Sequence, residues 1–159
     1  MAEKLTFDTA ELRQDPRFAA MFDSEPGHEL PDVIVKPYDG PEVTNHGTRS
    51  GHEILDAAGD QVGTFTLVGG ADKARRNVFD IRVPDRNVRR LAASTYVGLI
   101  ATLGIEGKYM TSDPMHLKEP SNRVWESLVR RGLARVDTTA GEDRNGYPRY
   151  TTLVGGEQK

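Results

Sequence analysis

The amino-acid sequence predicts a single domain of the α/β class (α+β), built on one largely antiparallel central sheet with flanking helices. Three observations lead to this prediction. Strand-like and helix-like periodicities alternate along the chain, a hairpin signal lies at residues 52–68, and a strand–helix–strand order spans residues 77–112. A chain of 159 residues is also long enough to bury a core in one domain. The predicted domain covers residues 1–159, of which 155–159 are expected to be a disordered tail.

The composition is that of an ordinary water-soluble protein, with 28% charged residues, 36% hydrophobic residues and a formal net charge of −3. This balance disfavours a globally basic nucleic-acid binder but leaves a local basic patch open. The absence of cysteine excludes disulfides, thiolate metal sites and a cysteine nucleophile. No apolar run approaches the ~20 residues of a membrane span, and the first residues lack a signal-peptide core. We expect a cytoplasmic protein with no membrane contact.

The first fifty residues contain a helical segment, a strand and a long loop. Residues 9–22 have a helical apolar face, and Pro16 is expected to break it into two parts. The turn-forming residues 23–31 lead into a strand at 32–38. Residues 39–51 are rich in glycine, proline, asparagine and threonine and therefore predict a loop of about a dozen residues, a length that is often functional.

The hairpin is the clearest β signal. Residues 52–57 and 61–68 read as two strands, and Ala58-Gly59-Asp60 is a suitable connection between them. Phe65 and Leu67 are predicted on one face of the second strand, with the intervening threonines on the other face.

The stretch NVFDIRVPDRNVRRLAAST (residues 77–95) predicts a strand, a tight turn and the start of a helix. Apolar residues alternate with polar ones over residues 79–83, which is the pattern of a half-buried strand. Pro84 lacks a backbone N–H and should end the ladder, and Asp85 can cap the following helix. That helix has an amphipathic pattern and should end at Gly104.

The remaining chain adds one helix and three strands. A short strand is predicted at 108–112, a helix at 119–131 and strands at 133–137 and 148–154. Trp125 lies on the apolar face of that helix and is more often a core residue than a ligand platform at such a position.

The candidate anion-binding feature is the start of the helix that follows Asp85. Arg86, Arg89 and Arg90 stand where a helix has unpaired N–H groups and the positive end of its dipole. Dipole and mutual repulsion both disfavour this cluster, so a bound phosphate would explain it. The alternative, three solvated arginines, is about equally plausible from the residues alone.

Two segments, FDIRVPDRNVRRLAASTYVGLIATL and KYMTSDPMHLKEPSNRVWESLVRRGLARV, resemble the GCN5-related N-acetyltransferase (GNAT) superfamily. In that family an analogous strand passes through a "V.P..RG.GIG..L" turn into the helix that holds the coenzyme A pyrophosphate. The SD, SNRVWESL and G residues of the second segment are similar to acetyltransferase-like proteins of bacteriophages. The resemblance covers residues 51–154 and leaves 1–50 unmatched.

The resemblance implies an acetyl-CoA-dependent N-acetyltransferase that passes the acyl group directly to an amine acceptor, whose identity it does not give. Asp80 is the implied catalytic base, acting directly or through water, against the simpler reading of a solvent-facing strand residue. His52 and Glu53 on the preceding hairpin are weaker candidates, and His116 follows in a turn. The implied cofactor-binding residues are Val83, Arg86, Asn87, Val88, Arg89 and Arg90.

The sequence departs from the family pattern at two points. Counted from Arg86, the two glycine positions of the phosphate turn hold Arg89 and Leu91, and glycine is what allows close backbone approach to phosphate. The tyrosine that often protonates the departing thiolate is replaced by Leu128, four residues before Gly132. Both departures favour an alternative function, in which the chain is a catalytically inactive acetyltransferase fold that binds a protein partner. A phage-type protein that binds a partner in the host is an example.

A second alternative is a winged-helix nucleic-acid-binding protein. Residues 121–136 would contain the recognition helix, followed by a hairpin wing. The strand at 108–112 and the acidic balance argue against it, so nucleic acid is the less favoured partner. The four histidines are dispersed without a ligand spacing, and no metal site is predicted. The arginines available for phosphate contacts in this alternative are Arg123, Arg130, Arg131, Arg135, Arg144 and Arg149.

Overall fold

The computed structural model describes residues 4–22, 30–69, 74–83, 90–112, 119–139, 141–142 and 146–153. These residues form an eight-stranded sheet and four helices. The strands are β1 (Phe7–Asp8), β2 (Ile34–Pro37), β3 (Arg49–Leu55), β4 (Gln61–Gly69), β5 (Arg75–Arg82), β6 (Tyr109–Thr111), β7 (Ala134–Val136) and β8 (Tyr150–Thr152). The helices are α1 (Thr9–Gln14), α2 (Ala19–Phe22), α3 (Arg90–Ile105) and α4 (Glu119–Arg130).

The sheet confirms the predicted fold class, a mixed α+β domain with a largely antiparallel sheet. The strand order is β1-β2-β3-β4-β5-β6-β8-β7. All neighbouring strands run antiparallel except β5 and β6, which are parallel. That exception follows from the connection through α3, because parallel neighbours require a crossover rather than a hairpin. The last strand, β8, lies between β6 and β7.

Helix α3 lies at the centre of the core and is buried on more sides than its predicted amphipathic pattern suggests. Eleven of its 16 residues are buried, because the N-terminal segment covers the side that the sheet leaves open. Gly98 shows how close this packing is, since a Cβ added there would lie 2.2 Å from the ring of Phe7. The Ser94 hydroxyl also donates a hydrogen bond to the Pro31 carbonyl, at 2.6 Å. The N-terminal segment, which the GNAT resemblance leaves unmatched, is thus an integral part of the core.

The N-terminal segment is held by hydrogen bonds as well as by packing. Asp8 caps α1 through its Oδ1, which accepts the N–H of Ala10 at 2.9 Å. The backbone N–H of Thr9 donates to the Val33 carbonyl at 3.0 Å, and the Thr9 hydroxyl accepts the Val33 N–H at 2.8 Å. The expected break at Pro16 is confirmed, because it falls between α1 and α2.

The loop between β2 and β3 is folded back onto the sheet. Asn45 holds it closed, since its Nδ2 donates to the Tyr38 carbonyl at 2.9 Å and its Oδ1 accepts the Gly51 N–H at 2.8 Å. The N–H of Thr44 then donates to the Thr66 hydroxyl on β4, at 3.2 Å. Phe65 and Leu67 belong to the core cluster, as predicted for one face of this strand. The loop explains why Thr66, on the opposite face, is also buried.

Within the described ranges, no helix combines the length and the apolarity that crossing a membrane requires. The tail expected at residues 155–159 lies outside the described residues.

Candidate functional site: the opening between two parallel strands

The candidate site lies where the parallel pair β5–β6 stops. Their ladder runs from Arg75 opposite Tyr109 to Asn77 opposite Thr111, which is three residue pairs. Strand β5 then continues through residues 78–82, and over this stretch its described strand partner is β4 alone. No described strand pairs with the other edge of this stretch, and we call this edge, together with the end of β6, the opening or cleft between β5 and β6. At a strand edge of this kind, a ligand with amide groups can bind as an added strand does.

The end of β6 turns toward β8 rather than continuing along β5. The N–H of Ser112 donates to the Tyr150 carbonyl at 3.0 Å, and the Ser112 hydroxyl accepts the Tyr150 N–H at 2.9 Å. Across the opening, the side chain of Asn77 reaches β6. Its Nδ2 donates to the Thr111 carbonyl at 2.9 Å, to the Thr111 hydroxyl at 2.6 Å and, at 3.4 Å, to the Ser112 carbonyl. Ser112, the first residue beyond the ladder, is thus held by hydrogen bonds to both β5 and β8.

A β-bulge lies on β5 beside the opening. The register with β4 shifts between Thr64 and Thr66, so that one β4 residue stands opposite two β5 residues, Asp80 and Ile81. A bulge bends its strand and changes the direction of the side chains that follow, and bulges are over-represented next to active sites.

The bulge also corrects the predicted alternation of β5. The sequence pattern places Phe79, Ile81 and Val83 on one face. In the structure Val78 is buried in the core, and Ile81 and Val83 pack against that core. The side chains that face the core are therefore at an even-numbered position before the bulge and at odd-numbered positions after it, because the bulge adds one residue to β5. A plain alternation cannot account for such an insertion.

Gly63 on β4 fixes the position of the open end of β5. A Cβ at Gly63 would lie 2.5 Å from the Arg82 carbonyl oxygen and 3.0 Å from Cγ2 of Val83. The glycine thus permits the end of β5 to approach β4 more closely than any other residue would allow. This contact locates the backbone near Val83, the first of the predicted cofactor-binding residues.

The other predicted cofactor-binding residues lie on the connection from β5 to α3. Arg90 is the first residue of α3 and is exposed. The predicted base, Asp80, belongs to β5 at the bulge, while its side chain is outside the described residues. Also outside the described residues are Pro84, Asp85, Arg86, Asn87, Val88 and Arg89, together with His116.

His52 is a structural residue rather than a base at the cleft. It is fully buried and stacks on Phe65 with 5.1 Å between ring centroids. Its Nε2 accepts the N–H of Leu5 at 2.9 Å, so the ring proton is on Nδ1, which donates to the Ser50 carbonyl at 3.0 Å. Both ring nitrogens of His52 are therefore used in hydrogen bonds to the backbone. The other weak candidate, Glu53, is on β3 and accepts a hydrogen bond from Gln61 at 3.1 Å.

A buried aromatic cluster packs on the helix side of the sheet, next to Ser112. The ring of Trp125 stacks on Tyr150 and meets Tyr96 edge-on, with 5.6 Å between centroids in each pair. The Tyr150 hydroxyl donates to Oδ1 of Asn122 at 2.8 Å. Burial, and then the negative charge of Glu126, raise the pKa of Tyr150 above its usual value.

This cluster confirms that Trp125 is a core residue, with 1% of its surface exposed. Tyr150 and Asn77 were missed by sequence reasoning. The only sequence signal for Asn77 is a polar amide inside a strand, a position at which asparagine is uncommon.

The winged-helix alternative does not fit this architecture. Strand β6 precedes α4 along the described chain, and β7 and β8 continue the main sheet rather than forming a separate wing. Arg131, one of its expected phosphate contacts, is buried. Its guanidinium donates to the Ser127 hydroxyl and to the Phe22 carbonyl, each at 3.4 Å. Arg144 lies outside the described residues.

Among the residues that the structure describes, no three histidine, cysteine, aspartate or glutamate side chains come together as a metal site.

Comparison with known proteins finds likeness in three-dimensional structure alone. No protein-family model matches the chain, and no curated protein matches it. A Sphaerobacter thermophilus protein described as an acetyltransferase is similar over 76% of this chain and 93% of its own, with 12% identity and a TM-score of 0.49. A GNAT-family acetyltransferase from Staphylococcus aureus is similar over 65% of this chain and 66% of its own, with 12% identity and a TM-score of 0.43.

A nourseothricin acetyltransferase is similar over 95% of this chain and 96% of its own, with 15% identity and a TM-score of 0.35. These structural neighbours are acetyltransferases by description. The likeness concerns the path of the chain, and the chemistry of the site depends on the geometry described above.

Proposed function

We propose that this protein binds acetyl-CoA in the opening between β5 and β6 and transfers the acetyl group directly to an amine. The observation that carries the proposal is the parallel pair that ends at Asn77 and Thr111, with a bulge on the strand that continues. The sequence resemblance to GNAT proteins points to this same strand and to the segment that follows it.

The residues around the opening suit the two parts of coenzyme A. Its pantetheine arm is a narrow chain that contains amide groups. Such a chain can bind in an opening between two strands in the way that an additional strand would. Its phosphates require cations, and these would come from Arg90, the first residue of α3, and from Arg86 and Arg89, which precede it in the sequence. The exposure of Arg90 agrees with this role.

Bound acetyl-CoA would supply an acyl group activated as a thioester. Backbone N–H groups near Val83 would donate hydrogen bonds to the carbonyl oxygen, where negative charge develops during attack by the amine. Asp80 would take the proton of the attacking amine, directly or through water, while the C–S bond of the thioester breaks and CoA leaves as a thiolate that takes a proton from solvent. The bulge at Asp80 supports this assignment, since bulges are over-represented next to active sites.

Calorimetric titration with CoA and acetyl-CoA tests the proposal. In Arg86→Ala/Arg89→Ala/Arg90→Ala we expect affinity to fall at least about 100-fold, because each charge-assisted hydrogen bond contributes about 1.5–3 kcal/mol. The matched control is Arg17→Ala/Arg123→Ala/Arg135→Ala, which removes the same charge from exposed positions elsewhere. The control should bind within about threefold of the wild type, because salt screens distant surface charges. A wild-type protein that binds neither ligand at ~1 mM would refute the proposal.

The competing function is a protein-binding acetyltransferase fold without catalysis. Leu128 favours it, because it stands where the family has a proton-donating tyrosine and is completely buried in the core. Release of free CoA thiol from acetyl-CoA in the presence of small amines separates the two functions. Binding without any amine-dependent release would support the non-catalytic protein, and amine-dependent release would exclude it.

A further inference from the structure

We propose that Asn77 is a positioning residue that fixes the closed end of the cleft between β5 and β6, and thereby the seat of the pantetheine arm. This inference rests on the proposed binding of acetyl-CoA. Asn77 belongs to the last residue pair of the parallel ladder, so any change in its contacts acts at the point where the two strands separate.

The side chain of Asn77 makes contacts that no backbone ladder supplies. Its single amide nitrogen carries two N–H donors and lies within hydrogen-bond distance of three oxygens on the neighbouring chain. These are the Thr111 carbonyl at 2.9 Å, the Thr111 hydroxyl at 2.6 Å and the Ser112 carbonyl at 3.4 Å. The contact with Ser112 extends one residue past the ladder.

Ser112 is held from the opposite side as well. Its N–H and its hydroxyl both bond to the backbone of Tyr150 on β8. Asn77 therefore completes a two-sided attachment of the residue at which the cleft begins. Without the donors of Asn77, Ser112 would still be attached to β8 but no longer to the Asn77 side chain. The separation of β5 from the end of β6 would then be less well fixed.

The residue type agrees with this role. Asparagine is depleted in strands, because its side chain competes with the backbone for hydrogen bonds. Asn77 lies inside β5 and is half-buried, a position at which a β-branched residue would pair better with its neighbours. A strand position that contradicts local preference is expected where function requires it.

The test compares two ligands that share a nucleotide but differ in the arm. Coenzyme A contains the pantetheine arm, and adenosine 3′,5′-bisphosphate lacks it. In Asn77→Ala and in the isosteric Asn77→Asp, which replaces two donors by acceptors, we expect CoA affinity to fall at least about tenfold, or about 1.4 kcal/mol. Affinity for adenosine 3′,5′-bisphosphate should stay within about twofold of the wild type, because the nucleotide is bound away from Asn77.

The outcomes are distinct. If wild-type protein binds CoA and the Asn77 variants lose affinity for neither ligand, or for both equally, the positioning role is refuted while the proposed function stands. If wild-type protein does not bind CoA, the proposed function is refuted and this inference with it.

Should both Asn77 variants fail to fold, Thr111→Val carries the test. It removes only the hydroxyl acceptor at 2.6 Å and keeps the volume of the side chain. We expect a smaller loss of CoA affinity, about twofold to fivefold, with nucleotide affinity unchanged, since one neutral hydrogen bond contributes about 0.5–1.5 kcal/mol. Unchanged CoA affinity in that variant would refute the inference.

Discussion

Strands β3 and β4 pair along the whole of β3, with one register shift between Ile54 and Leu55, whereas β5 and β6 pair over three residues only. We call the first pair continuous and the second interrupted. The first pair matches seven residues on β3 with partners on β4, and both faces of it are covered. Ile54 and Phe65 are buried on the helix side, and Thr66 is buried under the loop between β2 and β3. The second pair matches three residues and then opens. The continuous pair is a scaffold, because its two strands bond to each other along the whole of β3, whereas the interrupted pair is where we propose that a ligand binds.

Buried polar groups differ between the two regions in the same way. On the scaffold side, His52 is bonded at both ring nitrogens by backbone groups, so its polarity is used entirely to hold the fold. At the opening, the half-buried Asn77 donates to the Ser112 carbonyl, and the Ser112 hydroxyl accepts the Tyr150 N–H on β8. Polar groups in the first region hold the fold, whereas those in the second are the groups that we propose shape the site.

The largest expected effect is on the scaffold. Phe65→Ala removes a fully buried ring that stacks on His52, and it should lower the free energy of unfolding by about 3–5 kcal/mol through lost burial and a cavity. Chemical denaturation measures this change. Phe65 also stands opposite the bulge residues Asp80 and Ile81, so the independence of the two regions is tested with Val35→Ala on β2. Val35 is completely buried and lies three strands away from β5, and CoA affinity of this variant should remain that of the wild type. A parallel loss of stability and affinity would show that the two regions are not separable.

The next prediction compares two glycines that are both closely packed. A Cβ at Gly63 would lie 2.5 Å from the Arg82 carbonyl, at the open end of β5, and one at Gly51 would lie 2.3 Å from Val43 in the loop. Either substitution to alanine should cost about 1–3 kcal/mol of stability, because the neighbouring atoms must move. Only Gly63→Ala should also weaken CoA binding, since the carbonyl that must move belongs to the strand that lines the cleft.

Gly51→Ala serves as the matched control for that comparison, because it introduces the same methyl group into an equally tight contact. Denaturation and calorimetry on the two variants separate the effects. Equal CoA affinity in both variants would contradict the assignment of the cleft to the end of β5.

Local patterns predicted most of the regular structure. The hairpin of β3 and β4, the break at Pro16 and helices α3 and α4 each produce a period of 2.0 or 3.6 residues or a strong turn signal, and the structure confirms them. Strand β1 was missed because two residues cannot display a period. The close contact of Phe7 with Gly98 was missed as well, since it joins segments that are distant along the chain.

The site was harder to predict than the fold, again because its contacts join residues that are far apart in the sequence. The strand that carries Asp80 and Val83 has a local pattern, and their proposed roles remain predictions. The contacts that shape the opening are not local. Asn77 bonds to a residue 34 positions away, and Tyr150 to one 28 positions away. The bulge is equally invisible in one strand, because it is defined by the register with a second strand.

The smallest expected effect distinguishes the backbone of Tyr150 from its side chain. Tyr150→Phe removes the hydroxyl that donates to Asn122 and should lower stability by about 0.5–1.5 kcal/mol. The bonds from the Tyr150 backbone to Ser112 remain, so CoA affinity should not change.

Because burial raises the pKa of Tyr150 above about 10, the folded state retains a proton that the unfolded chain loses. Its contribution to stability is therefore complete below about pH 10 and is lost as the pH rises through the folded-state pKa. Urea denaturation between neutral and alkaline pH should show the wild type losing stability more steeply than the variant above about pH 10. Reduced CoA affinity in Tyr150→Phe would mean that the phenol itself, and not only the strand that carries it, contributes to the cleft.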